Sequence, residues 1–237
     1  MIFSNTEFYY TPKELISKTS IIIIDDEAKH ITRVMRHSIY DEILVTNGEG
    51  IVYKAIIKNI TRREVIAEIK ESYKQKNKMK NITFCIPILK SQDRFEFALE
   101  KCVELGITNF IIFSAKKSYK RGVKLERWNK ILLAAMKQSL QSFKPKIDFV
   151  TSLSSIVNNQ RKTIVLEQNA DETLSNYLKV ETNQKELFDK ETYFIFGPEG
   201  GLVEEELNFA NHKLQLTENR LRAETAIIAT ASLINQL

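Results

Sequence analysis

The hydrophobic pattern of the chain changes near residue 82, and that change limits the folds open to it. Before it, apolar runs alternate at a period of two or pair around a turn signal. "SIIII" at 20–24 reads as a strand. "EILVTNGEGIVYKAIIKNI" at 42–60 reads as two strands around Asn47-Gly48, and "EVIAEIKESY" at 64–73 as another. "DDEAKHITRVMR" at 25–36 has acidic residues first and basic residues last, the order a helix dipole favours, and is predicted as a helix. After residue 82 strands and helices alternate: "ITFCIPIL", "DRFEFALEKCVELG", "NFIIFSA", "LERWNKILLAAMKQSL", "TIVLEQ", "TYFIF" and "KLQLT". That alternation predicts a parallel sheet covered on both faces. The expected organisation is a small β-rich domain at 1–73, a polar basic linker "KQKNKMKN" at 74–81, and an α/β domain at 82–237.

With 43% apolar residues among 237, the chain can bury a sizeable core. No apolar run reaches the length of a membrane span. The opening "MIFSNTEFYY" lacks the basic start and apolar core of a signal peptide, so a soluble cytoplasmic protein is expected. Cys85 and Cys102 support neither a disulfide framework nor a zinc site. His30, His37 and His212 lack metal-ligand spacing, so no metal is expected. The formal charge of +5 is uneven. Residues 1–120 carry 20 Lys/Arg against 15 Asp/Glu, and the remainder 15 against 15. Stretches 54–80 (nine basic, three acidic) and 116–130 (seven, one) are the most basic. Such a front suits a polyanion such as nucleic acid, although a merely solvated lysine-rich surface has the same composition.

Three of the seven glycines fall in "GPEGG" at 197–201, between the strand "TYFIF" and a helix candidate at 203–211. Ligands of open parallel sheets bind beyond the carboxyl ends of strands, and glycine permits positive φ and close approach to backbone. The loop has no phosphate-cradling spacing. Glu199 and Glu204–Glu206 would repel a polyphosphate, so a neutral or cationic ligand fits better. A tight turn without ligand accounts for the same residues. A second loop, in "LTENRLRAETA" at 216–226, follows another strand and opens the terminal segment "AETAIIATASLINQL". Two such loops at one sheet edge would form one pocket; alternatively, Glu224 only stabilises a helix start and Arg220 and Arg222 are solvated. The terminal helix is apolar or small nearly all round, so burial in the core or against a second subunit is expected.

"GPEGG" followed by "LRAETA" resembles the SPOUT class of RNA methyltransferases, and more specifically its RsmE type, bacterial enzymes that methylate N3 of a uridine in 16S ribosomal RNA. "HITRVMR" at 30–36, the hairpin "TNGEGIVYKAII" and "KSQDRFEFALEKCVELGI" at 90–107 are similar to family segments in the same order, so the resemblance spans almost the whole chain. It implies an N-terminal PUA-like β-barrel for RNA and a C-terminal α/β domain tied in a trefoil knot. It also implies S-adenosyl-L-methionine as cofactor, 16S rRNA of the small ribosomal subunit as partner, and a homodimer. By matching position it implies a cofactor loop of Gly197, Pro198, Glu199, Gly200 and Gly201. A second loop would comprise Leu216, Asn219, Leu221, Arg222, Glu224 and Thr225, with Leu166 and Glu167 at the end of a third strand. The chain departs from the family at Thr217, Asn219 and Arg220. It does so again in "KQSLQ" at 137–141, where Gln138 and Ser139 persist but the family's glycine and arginine do not.

The implied reaction moves a methyl group from sulfonium to nitrogen. The target base must leave its stack, N3 must align behind the methyl group, and negative charge must be stabilised over the imide. Arg222 is the candidate for that stabilisation and Glu199 the nearest candidate base. Arg222 in a structural salt bridge to Glu224 or Glu199 is the competing reading. For RNA, Arg33 and Arg36 lie three apart on one face of the predicted first helix, with Lys90, Arg94, Lys101 and Gln138 as further contacts. Another target atom, or a non-catalytic ribosome-assembly factor, are the rival functions.

Overall fold

The computed structural model of the chain describes residues 8–119, 122–156 and 161–237, with only the backbone of 181–183. Residues 1–7 of the opening segment, and Lys120 and Arg121 of the basic stretch 116–130, lie outside the described residues. Two compact units emerge: Met1–Asn77 with Met136–Lys144, and Lys78–Ala135 with Pro145–Leu237. Among the described residues no helix is long and apolar enough to cross a membrane.

The first unit contains β1 (Tyr9–Tyr10), β2 (Ser20–Ile24), α1 (Asp25–Lys29), β3 (Glu42–Thr46), β4 (Ile51–Ile60) and β5 (Glu64–Lys74). They form one sheet in the order β1-β3-β4-β5-β2, antiparallel except for β1 beside β3. The period-two pattern becomes burial on one face: Ile21, Ile23, Ile43, Val45, Ala55, Ile57, Val65 and Ala67 close over one core. Register shifts in β4 after Lys54 and Ile57 bend the sheet into a half-barrel. Asn47 shapes the β3–β4 turn, its Oδ1 accepting the N–H groups of Glu49 (2.8 Å) and Ile51 (3.1 Å).

The helix expected over 25–36 is shorter. After α1 the chain widens into a π turn at His30–Val34, and Arg36 adopts φ 57°. Arg33 and Arg36 therefore do not share a helical face, because a left-handed residue ends the helical rise before Arg36 is reached.

The second unit contains β6 (Ile82–Pro87), α2 (Gln92–Glu104), β7 (Asn109–Phe113), α3 (Leu125–Gln138, its last turn counted with the first unit) and β8 (Lys146–Val150). It continues with β9 (Lys162–Leu166), β10 (Glu172–Thr173), α4 (Leu174–Lys179), α5 (Glu181–Asp189), β11 (Thr192–Ile195), α6 (Glu204–Leu207), β12 (His212–Gln215) and α7 (Ala223–Asn235). Seven parallel strands run in the order β10-β12-β9-β11-β6-β7-β8. Every residue of β6 is buried, as a central strand between helical layers requires. Ser91 caps α2, and Gly106 at φ 90° ends it. Cys85 and Cys102 are fully buried, and burial pushes both thiols far up, so neither is a nucleophile.

The helix expected over 203–211 is a single turn, α6. Asn211 stops it: its N–H donates to Thr163 O (3.0 Å) and its Oδ1 accepts the Thr163 N–H (2.8 Å), which turns the chain into β12. α7 returns from β12 to pack against α2, which follows β6. The connection 216–222 therefore crosses the carboxyl ends of β9 and β11. Ile227, Thr230, Ala231 and Ile234 of α7 are buried, while Ile228, Ala229, Ser232 and Leu233 stay half-exposed, so within one chain the helix is covered on one side only.

Candidate active site

The carboxyl ends of β9, β11 and β12 meet at one sheet edge, and the segments leaving them enclose a cleft of about 820 Å³. That is the size of a site for a nucleoside-sized ligand. Strand order reverses here, since the chain goes outward through β7 and β8 and then returns to β9 on the other side of β6. Such switch points are where open α/β sheets bind ligands.

Leu166, Glu167 and Gln168 form the first wall. Gln168 Nε2 donates to the carbonyls of Thr217 (3.1 Å) and Glu218 (3.2 Å), tying the end of β9 to the loop after β12. Gly197–Gly201 form the second wall. Gly201 sits at φ 72° with open space where a Cβ would point, so its backbone, not crowding, demands glycine. A Cβ on Gly200 would lie 3.2 Å from Cβ of Lys117, so that glycine serves close packing. Glu199 is exposed, and its Oε1 accepts the backbone N–H of Lys90 at 3.0 Å.

A buried carboxylate clamps this loop from behind. Glu206 accepts the N–H of Val203 on Oε2 (3.0 Å) and that of Lys116 on Oε1 (2.9 Å), while Glu205 pairs with the Lys116 ammonium. Glu204–Glu206 are thus absent from the cleft lining, and the charge facing a ligand comes from Glu167, Glu199 and Glu224. Three guanidiniums, from Arg94, Arg220 and Arg222, accompany them. Glu204–Glu206 therefore do not supply the charge that a ligand meets; the lining carries both signs, which still disfavours a polyphosphate and suits a neutral or cationic ligand that also bears a carboxylate.

The third wall is Leu216, Arg220, Leu221, Arg222 and Glu224. Arg222 is the exposed N-cap residue of α7 and Glu224 lies in its first turn. Glu224 Oε1 is 3.5 Å from Arg94 Nε. The suggested salt bridge from Arg222 to Glu224 or Glu199 is absent among the described residues: the former pairs with Arg94, the latter with the Lys90 amide.

Leu166, Glu167, Gly197, Pro198, Glu199, Gly200, Gly201, Leu216, Leu221, Arg222 and Glu224 are all brought together. Asn219 and Thr225 are exposed outside the lining. Thr225 follows Glu224 by about 100° of helix rotation and so turns away. Arg94 belongs to the cleft. Lys101 is held by Glu100 and Glu104 at 2.7 Å each, which occupies its charge locally. Arg33, Lys90 and Gln138 are exposed. Gln168 and Glu206 were missed. Their only signals are a polar residue closing the predicted strand 163–168, two positions beyond the observed β9, and an acid that closes back on its own helix start.

A family described as "RNA methyltransferase domain" matches residues 75–235, and one described as "RNA methyltransferase PUA domain" matches residues 23–70. This chain belongs to the RNA methyltransferase family. It is 25% identical over 234 residues to ribosomal RNA small subunit methyltransferase E of Rickettsia conorii, covering 96% of this chain and 94% of that one. It is 30% identical over 182 residues to the protein of that name from Mesomycoplasma hyopneumoniae, covering 73% and 76%. The crystal structure of ribosomal RNA small subunit methyltransferase E from Neisseria gonorrhoeae bound to S-adenosyl methionine superposes with a TM-score of 0.83 at 24% identity, covering 98% of each chain. The fold is thus a SPOUT-type α/β domain with a PUA-like half-barrel. The methyltransferase departure at Leu140 has a structural consequence. Leu140 keeps φ 59° after α3, a conformation glycine adopts freely, and packs against Phe8, Leu44 and Val52.

Proposed function

We propose that this protein transfers a methyl group from S-adenosyl-L-methionine to N3 of a uridine in 16S ribosomal RNA of the small subunit. The observation that carries the reading is the charge-balanced cleft at the strand switch point, closed by the Gly197–Gly201 loop and the start of α7. Its residues fit the cofactor, which is about the right size for the cleft and bears cationic groups together with a carboxylate. Backbone of the three loops would hold the adenosine, and Glu167, with Glu224 beside its Arg94 partner, would offer negative charge to the cofactor's cationic groups.

When bound, the cofactor supplies an electrophilic methyl on sulfonium. Arg222, with no carboxylate partner among the described residues, holds the negative charge that spreads over the uracil oxygens as the N3 proton leaves. Glu199, fixed at the rim by the Lys90 amide, is the group to accept that proton. The base reaches the cleft only when splayed from its helix. Arg33, Lys90 and Gln138 contribute to RNA positioning, and binding weakens as salt rises.

The half-exposed side of α7, with Ile228, Ala229 and Leu233, supports a homodimer, and the ribosomal substrate supports a cytoplasmic site of action. The test is incubation with methyl-labelled cofactor and separated ribosomal subunits from cells lacking the modification. Label in small subunits and not in large ones is expected. Label in both, or in transfer RNA instead, contradicts the substrate assignment.

A further inference from the structure

In the first unit, the segment 35–41 joins the π turn to β3 and contains two non-glycine residues in the left-handed region, Arg36 (φ 57°) and Tyr40 (φ 78°). The segment is nonetheless firmly held. Tyr40 N–H donates to Ile57 O (2.8 Å), His37 N–H to Ile31 O (3.0 Å), and Ser38 N–H to Asp41 Oδ2 (2.8 Å). The His37 ring bridges Asp41 Oδ2 and the Tyr9 hydroxyl, both at 3.1 Å.

An aromatic residue at that φ is strained, and strain persists only where the surroundings fix it. Burial does not offset it here, because Tyr40 is 76% exposed. Glycine would serve the turn better, so neither the turn nor the core accounts for a tyrosine.

The surroundings of the ring are those of a nucleic-acid surface. Lys58 Nζ lies 5.8 Å from the ring centroid. Lys58 and Lys70 both pair with Glu68, so that carboxylate leaves no net negative charge beside the ring. Val34, at the end of the π turn, and Met35 and Ile39 of the segment are exposed, with the exposed cation Arg33 just before them and Arg36 between them. Aromatic faces interleaved with cations bind unpaired bases, and a ring presented on a held backbone requires less ordering when a base stacks on it. A protein partner would find this apolar strip broken by the Arg36 guanidinium and flanked by that of Arg33.

We propose that Tyr40 is a stacking platform for an unpaired base of the RNA substrate. The proposal rests on the functional reading above and names a contact of its RNA-binding unit. The variants Tyr40→Phe, Tyr40→Trp, Tyr40→Asn and Tyr40→Gly are compared for methyl transfer to unmodified small subunits. Wild type is also irradiated in complex with protein-free 16S rRNA and with intact subunits, and Tyr40 is examined by mass spectrometry for attached nucleotide.

Phe and Trp should keep KM for subunits within a factor of about two, and Asn and Gly should raise it about tenfold, the scale of one lost base stack. kcat and cofactor Kd should stay unchanged, and Gly should not lower Tm. A nucleotide cross-linked to Tyr40 is expected. Unchanged KM in Tyr40→Gly overturns the proposal. So does an equal rise in Tyr40→Phe, which would assign the hydroxyl rather than the ring, or a Tyr40 cross-link to ribosomal protein instead of RNA. Wild-type protein that methylates no subunit defeats the functional reading itself, and the cross-link then decides Tyr40 alone.

Discussion

Arg94 Nε lies 3.5 Å from Oε1 of Glu224, so the carboxylate that opens α7 is answered by α2 and not by its neighbour Arg222. Glu224 is only 13% exposed at its side chain, whereas Arg222 is exposed at the cleft rim. Among the described residues the pairing leaves the Arg222 guanidinium without a carboxylate partner, available for charge that develops only during reaction.

Arg222→Ala should therefore lower kcat about 10²- to 10³-fold, the usual effect of removing one such donor. Cofactor Kd from calorimetry should change less than about threefold, because ground-state binding does not use the group. An equal loss in both quantities would assign Arg222 to cofactor binding.

Gly201→Ala should destabilise the protein by about 1 kcal/mol through its φ of 72°, with no clash to relieve. Thermal unfolding should record a fall in Tm of roughly 2–4 °C. Gly200→Ala meets Lys117 Cβ at 3.2 Å and should act through displacement of the segment after β7. Equal Tm values for wild type and Gly201→Ala would contradict the assignment of backbone strain.

Glu206→Gln should cost about 1–3 kcal/mol, since a buried carboxylate that accepts two backbone N–H groups becomes an amide with one acceptor oxygen. Urea unfolding gives the number. Cofactor affinity should fall as well, because Val203 and Lys116 flank the glycine loop. A loss below about 0.5 kcal/mol would mean that either N–H finds water instead.

Glu96 is buried on α2 and takes a two-pronged contact from Arg127 of α3, Nε to Oε1 at 2.7 Å and Nη2 to Oε2 at 2.8 Å. The Arg127 guanidinium holds the Glu96 carboxyl below its ordinary range despite burial. A depressed carboxyl contributes stability above its unfolded pKa of about 4.3 and loses it as pH falls through the folded value. Arg127→Ala should lower stability at pH 7, by an amount reduced by solvent screening of the exposed arginine. The difference from wild type should shrink below about pH 4. A difference independent of pH in urea titrations would remove the ion pair as its cause.

Much of this architecture is written in local periodicity. β4, β5 and β6 are legible because their burial repeats at the strand period or fills a whole central strand. The loops at 197–201 and 216–222 are legible because strand-to-helix punctuation places both at one sheet edge. What escaped depends on contacts distant in sequence or on single backbone angles. β1 and β10 are two-residue edge strands and β8 an edge strand without a clear period, recognised only by their neighbours. Arg36 leaves the helix by one left-handed residue. Glu206 acquires its role from Lys116, 90 positions earlier, and Arg94 enters the cleft only because α7 folds back onto α2.

The central claim is tested most directly by the identity of the product. Small ribosomal subunits lacking the modification are incubated with the protein and S-adenosyl-L-methionine, the 16S rRNA is digested, and methylated nucleosides are identified by mass spectrometry. N3-methyluridine at a single position is the predicted result. A different methylated nucleoside, or none while the cofactor still binds, would contradict it.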